Sequence, residues 1–339
     1  MATTDSLGVS NQLPAACERR SRLRVAIVAT PRSGNTWLKG LLGSLYGLPD
    51  IICDRPDEVP WNTLPERCVI QLHWSPEPEL LELFERHAIR PVTIVRHPLD
   101  TLISILHFCT TWPGTSRWFG GRGGNEDMIR GCLPTSPAFL DYATGPRARA
   151  LMAISLEWWS CASCHNLCYE RLAEDPLTEL SRLGNFLEPV SPQVIQSAID
   201  GNSLEKTRPK VANQHHWVGT SAHWKRLIPA SVAGQIASAH AMHVELLRYD
   251  CTADGCPTAT QADLNWFALE IQSLRQELSR TRSQLLDAQL RLESTESYLA
   301  LARSIAKPLR PLRELGRQSV QMAQRLHAQA IRPFARKAG

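Results

Sequence analysis

The apolar and polar positions of the chain follow two different periods. Short apolar runs rich in β-branched residues lie at residues 23–29, 68–72 and 91–95, each is followed by a helical pattern, and a further strand is predicted near residues 166–169. Such an alternation is typical of βα units around a parallel sheet. The sequence therefore predicts an α/β fold with a doubly wound parallel sheet over residues 23–250.

A seven-residue period replaces this pattern near the carboxyl terminus. From Leu264 to Leu299 an apolar residue recurs at every seventh position, and mostly apolar or small residues follow three places after each. This pattern predicts a coiled-coil helix over residues 263–302, preceded by a linker at residues 251–262. A long helix folded back on the domain is the alternative interpretation. Because an isolated stripe of this length would expose much apolar surface, we expect a homo-oligomer through residues 264–302.

Charge is unevenly distributed along the chain. The formal net charge is +4, yet residues 303–339 hold nine lysines and arginines against one acidic residue. Such a basic amphipathic tail predicts peripheral contact with an anionic inner-membrane surface, and a solvated polar helix is the alternative. Residues 1–22 are predicted to be a disordered tail without an export signal, and no apolar run reaches membrane-spanning length. These features predict a cytoplasmic protein.

The ten cysteines predict reduced thiols in that compartment. Cys161, Cys164 and His165 match the spacing used for covalent haem attachment, but a short match without its structural context is weak. We therefore expect no bound metal.

The segment TPRSGNTW at residues 30–37 follows the first apolar run. A loop leading into a helix offers unpaired backbone N–H groups and the positive end of the helix dipole, which together suit a phosphate. Arg32 adds a cation, Gly34 allows close approach of the backbone, and Thr36 supplies a hydroxyl. The Gly-Lys-Ser/Thr ending of nucleotide triphosphate loops is missing, so the lysine and the magnesium-binding residue of that site are not in evidence.

A second segment, VRHPLDTLIS at residues 95–104, repeats the transition from strand to helix. Pro98 suits the first turn of a helix. Arg96 offers a planar fork and Ser104 a hydroxyl, so the two can hold a second phosphate. A surface arginine and a helix-packing serine are the alternative. Two anion sites predict a nucleotide with phosphates at both ends.

Together these segments resemble the sulfotransferase family, which uses 3′-phosphoadenosine 5′-phosphosulfate (PAPS) as sulfuryl donor. TPRSGNTW resembles the 5′-phosphosulfate loop of that family, and VRHPLDTLIS resembles its 3′-phosphate motif. A third segment, LCYERLAEDP at residues 167–176, resembles the family's Tyr-Glu-Asp strand end, with Arg171 in place of the aspartate. The resemblance covers residues 23–249 and implies a phosphate-loop-like α/β fold.

The resemblance also implies roles for individual residues. The backbone of residues 33–36 would hold the 5′-phosphosulfate, and Arg32 would stabilise the departing phosphate oxygen. Trp37 would stack on the adenine, with a core aromatic as the alternative, and Tyr169 would lie at the nucleotide. The implied donor-binding set is Arg32, Ser33, Gly34, Asn35, Thr36, Trp37, Arg96, Ser104, Tyr169 and Gly219.

The segment WVGTSAHWK at residues 217–225 resembles the closing segment of the family and contains Gly219. Trp217 and Val218 stand where the family has two basic residues, so part of the 3′-phosphate clamp is missing or supplied from elsewhere. The candidate replacements on the same loop are Arg208, Lys210 and His215.

His73 is the predicted general base. An acceptor hydroxyl must lose a proton, and the pKa of histidine near neutrality suits this step. The stretch LHWSPEPELL, which contains His73, resembles the family's catalytic-histidine segment. With Arg32 it makes up the predicted catalytic pair. Gln71 replaces a lysine of the family pattern, so Glu58 and Asp57 remain alternative bases.

These features predict transfer of a sulfuryl group from PAPS to a hydroxyl acceptor without a metal. The stretch SIAKPLRPLRELGR at residues 304–317 is similar to tails of bacterial enzymes of cell-surface polysaccharide assembly, so a glycan or glycolipid is the expected acceptor. No nucleic-acid partner is expected. The alternatives are an ATP-dependent small-molecule kinase of the phosphate-loop fold and a non-catalytic coiled-coil scaffold with a decayed nucleotide site.

Overall fold

A parallel sheet forms the centre of the protein. The computed structural model describes residues 21–112, 126–203 and 221–306, together with positions 115, 118, 206, 321 and 324. The strands are β1 (Leu23–Val28), β2 (Asp50–Ile52), β3 (Arg67–Leu72), β4 (Ile89–Val95) and β5 (His165–Cys168), in the order β2-β3-β1-β4-β5. All neighbouring strands run parallel, which confirms the predicted α/β fold.

Helices follow the strands and complete the α/β pattern. They are α1 (Asn35–Tyr46), α2 (Pro78–Arg86), α3 (Pro98–Thr111), α4 (Pro137–Thr144), α5 (Pro146–Trp159), α6 (Tyr169–Glu174), α7 (Pro176–Phe186), α8 (Pro192–Gly201), α9 (Trp224–Leu227), α10 (Ala230–Ala239), α11 (Ala241–Leu247) and α12 (Ala259–Ala306). Half of them begin with proline, whose missing N–H costs little in a first turn.

Both faces of the sheet are buried under helices. The side chains of β1 alternate between two apolar clusters, with Val25 and Ile27 on one face and Ala26 and Val28 on the other. Helices α1, α7 and α8 cover the first face, while α2, α3, α5 and α10 cover the second. Burial on two sides explains why the central strands are continuous apolar runs. The ends of the strands are thereby the places open to polar chemistry.

Two local features depart from the sequence pattern. Strand β2 is too short to appear as an apolar run in the sequence, so the pattern does not predict it. It joins the edge of the sheet, where Ile51 pairs with Ile70 of β3. The apolar pattern predicts one helix over residues 229–247, but the helix is divided at His240. The imidazole Nε2 of His240 lies 2.8 Å from the carbonyl oxygen of Ala143, so a tertiary hydrogen bond overrides the local period.

Helix α12 confirms the long carboxyl-terminal helix and begins within the stretch predicted as a linker. Its first turns belong to a compact unit that extends to Glu270, where they bury Ala262 and Trp266, and a second unit starts at Ile271. The predicted limits of linker, coiled coil and tail stay predictions. None of the helices that the structure describes is long and apolar enough to cross a membrane.

Candidate active site

The predicted site residues follow the ends of neighbouring strands. The loop at residues 30–36 follows β1, His73 follows β3, Arg96 follows β4, and Tyr169 follows β5. Parallel strands that are adjacent in a sheet end at the same edge, where ligands of open α/β folds bind. The topology therefore brings these segments to one place.

The loop between β1 and α1 has an unusual backbone. Gly34 precedes α1 with φ 110°, and Arg32 has φ 70°, which costs an L-residue about 1 kcal/mol. A Cβ atom on Gly34 would lie 2.7 Å from Cδ2 of Tyr169. Position 34 therefore requires glycine for its backbone angle and for the close approach of the tyrosine ring.

Buried hydrogen bonds hold the start of this loop. The N–H of Thr30 donates to Ser155 Oγ at 2.7 Å, and the Ser155 hydroxyl donates to the carbonyl of Ile94 at 3.1 Å. The Thr30 hydroxyl donates to the carbonyl of Leu151 at 2.8 Å, and Asn35 Nδ2 donates to the carbonyl of Thr30 at 2.9 Å. The loop is therefore tied to α5 and β4, and its geometry is set before any ligand arrives.

The two predicted phosphate sites adjoin each other. Arg96 Nη1 donates to the carbonyl oxygen of Arg32 at 3.2 Å, and Arg32 Nε donates to Ser104 Oγ at 3.1 Å. The Arg32 guanidinium lies over the Phe108 ring at 4.4 Å, and the Arg96 guanidinium lies over the Tyr169 ring at 4.5 Å. Two half-buried cations thus lie side by side at the carboxyl edge of the sheet.

This clustering of charge favours an anionic ligand. Burial and, second, the positive charge of Arg96 lower the pKa of Arg32 to about 9, so its guanidinium keeps the proton at neutral pH. Partly desolvated like charges destabilise each other, and a bound anion with several negative charges would relieve both costs. The side chain of Ser104 is buried beside them and supplies a hydroxyl.

Two aromatic rings flank the arginines on one side. Trp37 meets Tyr169 edge to face with ring centroids 5.8 Å apart, and Trp37 is half-buried whereas Tyr169 is buried. Burial raises the pKa of Tyr169, so the phenol stays neutral at pH 7. The half-exposed indole offers a flat apolar face, which suits a nucleotide base.

His73 has a defined tautomer. Its Nδ1 lies 2.8 Å from the carbonyl oxygen of Ala29, and because a carbonyl only accepts, Nδ1 carries the proton and Nε2 carries the lone pair. Burial lowers the pKa of His73, and the charge of Arg32 adds to this effect. The imidazole is therefore neutral at pH 7 and has one nitrogen available to accept a proton.

An aromatic wall lines the side of the site near His73. Trp118 meets the His73 ring edge to face at 6.3 Å and stacks on Phe108 at 5.6 Å, and Trp112 follows at 6.3 Å from Phe108 with 42% of its surface exposed. Phe108 was not predicted as a site residue, although its position four residues after Ser104 puts both on one face of α3.

A family model described as a sulfotransferase domain matches residues 23–237. The chain belongs to the sulfotransferase family. The predicted family is thereby confirmed, and no curated protein sequence matches the chain.

Several solved structures are similar to this sulfotransferase. Mouse sulfotransferase SULT7A1 complexed with PAP is 15% identical with a TM-score of 0.51, over 66% of this chain and 84% of that one. Retinol dehydratase in complex with androsterone and inactive cofactor PAP is 14% identical with a TM-score of 0.45, over 66% and 81%. The sulfotransferase domain from the curacin biosynthetic pathway is 15% identical with a TM-score of 0.38, over 68% and 99%. The likeness to the mouse enzyme shows a shared fold.

The alternative bases of this sulfotransferase lie on the surface. Asp57 and Glu58 belong to a short 3₁₀ helix, Pro56–Glu58, and both are exposed. Asp57 pairs with Arg55, and Glu58 Oε2 accepts the N–H of Asp54 at 2.9 Å. Unlike His73, neither carboxylate is buried.

Glu170 is a positioning residue that sequence analysis missed. Its Oε1 accepts the N–H of His97 at 2.9 Å, directly before α3, and its Oε2 accepts the hydroxyl of Tyr249 at 3.1 Å. This contact fixes the backbone next to Arg96. Arg171, which replaces the aspartate of the family motif, is exposed and lies 3.9 Å from Glu179.

Asp100 anchors the closing segment. Its carboxylate accepts the N–H groups of Ala222 and Trp224, both at 2.8 Å, and burial raises its pKa. Gly219 and its neighbours Trp217 and Val218 lie outside the described residues. The same holds for the candidate replacements of the basic pair, Arg208, Lys210 and His215.

The segment with Cys161, Cys164 and His165, which matches the spacing for haem attachment, is not arranged as a metal site. Within the described ranges, no group of three or more His, Cys, Asp or Glu side chains is arranged to hold a metal ion. Burial raises the pKa of Cys161 and raises that of Cys164 to about 12, so both thiols stay protonated at pH 7.

Replacing Gly34 tests the loop geometry. We expect Gly34→Ala to lower the free energy of unfolding by more than about 1 kcal/mol, because the new methyl group meets Tyr169 and the backbone angle is unfavourable for alanine. Gly234→Ala is the matched control. A Cβ atom at Gly234, inside α10, meets nothing within 4 Å, so this change should stabilise by about 0.5–1 kcal/mol. Equal effects in urea denaturation would contradict the interpretation.

Proposed function

We propose that this protein transfers a sulfuryl group from PAPS to a hydroxyl acceptor. The observation that carries the proposal is the contact of Arg32 with both Arg96 and Ser104 at the carboxyl edge of the sheet. Membership of the sulfotransferase family supports it. The two positive charges match a donor that bears phosphate groups at both ends.

The donor would lie between the two loops. The amides of residues 33–36 and the dipole of α1 would hold the 5′-phosphosulfate, while Arg96 and Ser104 would hold the 3′-phosphate. Trp37 and Tyr169 would flank the adenine. The hydroxyl of Ser104 would donate its proton to the 3′-phosphate while its oxygen still accepts the hydrogen bond from Arg32.

The reaction would be an in-line displacement at sulfur. The acceptor oxygen forms the new S–O bond as the bond from sulfur to the 5′-phosphate oxygen breaks, which leaves a sulfate ester and PAP. His73 Nε2 accepts the proton of the acceptor hydroxyl. The positive charge of Arg32 stabilises the negative charge that develops on the departing phosphate oxygen. Asp57 and Glu58 take no part in this scheme.

A glycan or glycolipid is the proposed acceptor. The aromatic wall beside His73 includes the exposed indole of Trp112, and flat aromatic faces pack well against the apolar faces of sugar rings. The resemblance of the tail to those of polysaccharide-assembly enzymes points to the same class.

Radiolabelled PAPS offered to a panel of sugars, glycolipids, phenols and peptides tests both the transfer reaction and the acceptor class. Label in no acceptor would contradict the proposed transfer, and label in phenols alone would contradict the acceptor class.

The remaining parts of the chain would determine where the enzyme is located in the cell and how many copies associate. The nine basic residues of 303–339 would hold it at the anionic inner-membrane surface of the cytoplasm, each contributing about 1 kcal/mol near the surface. Residues 264–302 would join two or more copies. A membrane-bound oligomer suits a glycolipid acceptor, since enzyme and acceptor then share one surface.

Substitutions at Arg96 and His73 should separate donor binding from chemistry. We expect Arg96→Ala to weaken PAP binding by at least tenfold, because a lost charge-assisted hydrogen bond costs about 1.5–3 kcal/mol. His73→Ala should lower kcat by about 10²–10⁴-fold with PAP affinity nearly unchanged. Calorimetry with PAP and label transfer from PAPS provide the two measurements.

Two controls accompany this pair. Arg86→Ala removes an exposed arginine at the end of α2 and should change neither the affinity for PAP nor kcat. Glu58→Gln should retain full turnover. If Glu58→Gln lost turnover while His73→Ala kept it, the assignment of the base would be wrong.

The pH profile should report the shifted histidine. Free histidine has a pKa of about 6.5, and burial lowers the pKa of His73. The base works when neutral, so activity should be retained at pH 7 and should fall only as the pH drops below the lowered pKa. We therefore expect the acidic limb of kcat/KM to bend below about 6.5 and to vanish in His73→Ala. An inflection above that value would contradict the role of burial.

A further inference from the structure

The apolar stripe of α12 is exposed along the part of the helix that the structure describes. Leu264 is 57% exposed, Phe267 47%, Leu274 60% and Leu278 71%. The stripe continues through Leu285, Leu292 and Leu299, which are exposed to a similar degree. A stripe of this length on one helix marks an interaction surface.

The compact unit does not cover the beginning of this stripe. In the first turns of α12 the buried residues are Ala262 and Trp266, and Trp266 meets His107 at 6.1 Å. Leu264 and Phe267 lie on another face of the same turns and are exposed. The helix therefore has one face for its own unit and a separate apolar face that needs another occupant.

The charges beside the stripe identify that occupant. With Leu264 at heptad position a, a parallel in-register pair of helices places each g residue opposite the e residue five places later in the second copy. The facing pairs are Glu270 with Arg275, Glu277 with Arg282, Gln284 with Gln289, and Arg291 with Glu296. In every charged pair the two residues carry opposite charges. The first two pairs have glutamate at g and arginine at e, whereas the last pair has arginine at g and glutamate at e.

The antiparallel arrangement is less favourable on the same grounds. With residues 264–302 fully overlapped in opposite directions, g faces g and e faces e. Glu277 then faces Arg291, but Arg282 faces its own copy, and like charges held opposite each other destabilise the pair. The parallel arrangement has no such contact among these positions.

Existing contacts within the helix reduce but do not remove these attractions. Arg291 pairs with Asp287 of the same helix at 2.8 Å, with both side chains exposed, and such pairs contribute little. Glu270 already accepts a hydrogen bond from Trp266. In the parallel arrangement Glu270, Glu277 and Arg291 each have an opposite charge within reach on the second copy, which favours that direction.

We infer that two copies of this chain pair through residues 264–302 as a parallel, in-register, two-stranded coiled coil. The inference rests on the proposed self-association and adds its partner number, direction and register. It places the amino-terminal ends of the two helices side by side.

A disulfide placed at the seam tests the direction. Thr281 is an exposed d residue in the middle of the helix, and in the parallel pair it faces its own copy. We expect Thr281→Cys to form an intermolecular disulfide in an oxidising glutathione buffer. Ser283→Cys, at the outward f position, is the matched control and should cross-link at least tenfold less. Peptide mapping must place the bond at residue 281, with the unsubstituted protein setting the background of the native thiols.

A charge exchange tests the register. Glu277→Lys and Arg282→Glu each create two like-charge pairs in a parallel homodimer, so each variant alone should dissociate more readily. Mixed together, they restore opposite charges at both contacts, and the heterodimer should exceed the fraction that random pairing gives. Random pairing in the mixture would overturn the proposed register.

Sedimentation velocity of the unsubstituted protein separates the remaining outcomes. A monomer would overturn both self-association and its direction, whereas a trimer or tetramer would overturn the two-stranded arrangement. A dimer that cross-links only when Thr281→Cys is mixed with Leu285→Cys would be antiparallel, which overturns the direction and leaves self-association standing. Sulfuryl transfer is measured independently, so its failure would not affect this test.

Discussion

The site depends on holding two guanidinium groups together at the edge of an apolar sheet. Arg32 and Arg96 are partly desolvated neighbours, and Arg96 donates to the carbonyl oxygen of Arg32 while Arg32 donates to Ser104. The Arg32 guanidinium also lies over the ring of Phe108, and the Arg96 guanidinium lies over the ring of Tyr169. Aromatic faces attract a cation without cancelling its charge, so an anion bound between the two arginines would be stabilised by both.

The rest of the fold keeps this arrangement from relaxing. Thr30 and Ser155 form a buried chain of hydrogen bonds from the end of β1 through α5 to the carbonyl of Ile94. Gly34 lets the Tyr169 ring approach the loop more closely than any side chain would allow. Because the loop conformation includes a left-handed arginine, it needs such support from outside its own sequence.

Sequence alone predicts the parts of the site that depend on local order. Strand, loop and helix follow one another at residues 30–37, so the predicted anion loop needed no knowledge of distant contacts. The roles of Glu170 and Asp100 could not be predicted, because their partners lie 73 and more than 120 residues away along the chain. The position of Trp118 beside His73 could not be predicted either, because the glycine-rich stretch around it has no helical or strand period that would assign its side chain to a face. The division at His240 likewise depends on one carbonyl from another helix.

The hydrogen bond between His73 and Ala29 has a consequence for repeated turnover. A base whose Nδ1 is already protonated becomes a cation as soon as it takes a second proton. That imidazolium would be buried beside Trp118 and repelled by the nearby Arg32, so it would be a stronger acid than histidine in water. In the proposed reaction the proton would therefore be lost readily at pH 7, and its loss returns the histidine to the neutral form that the next turnover needs.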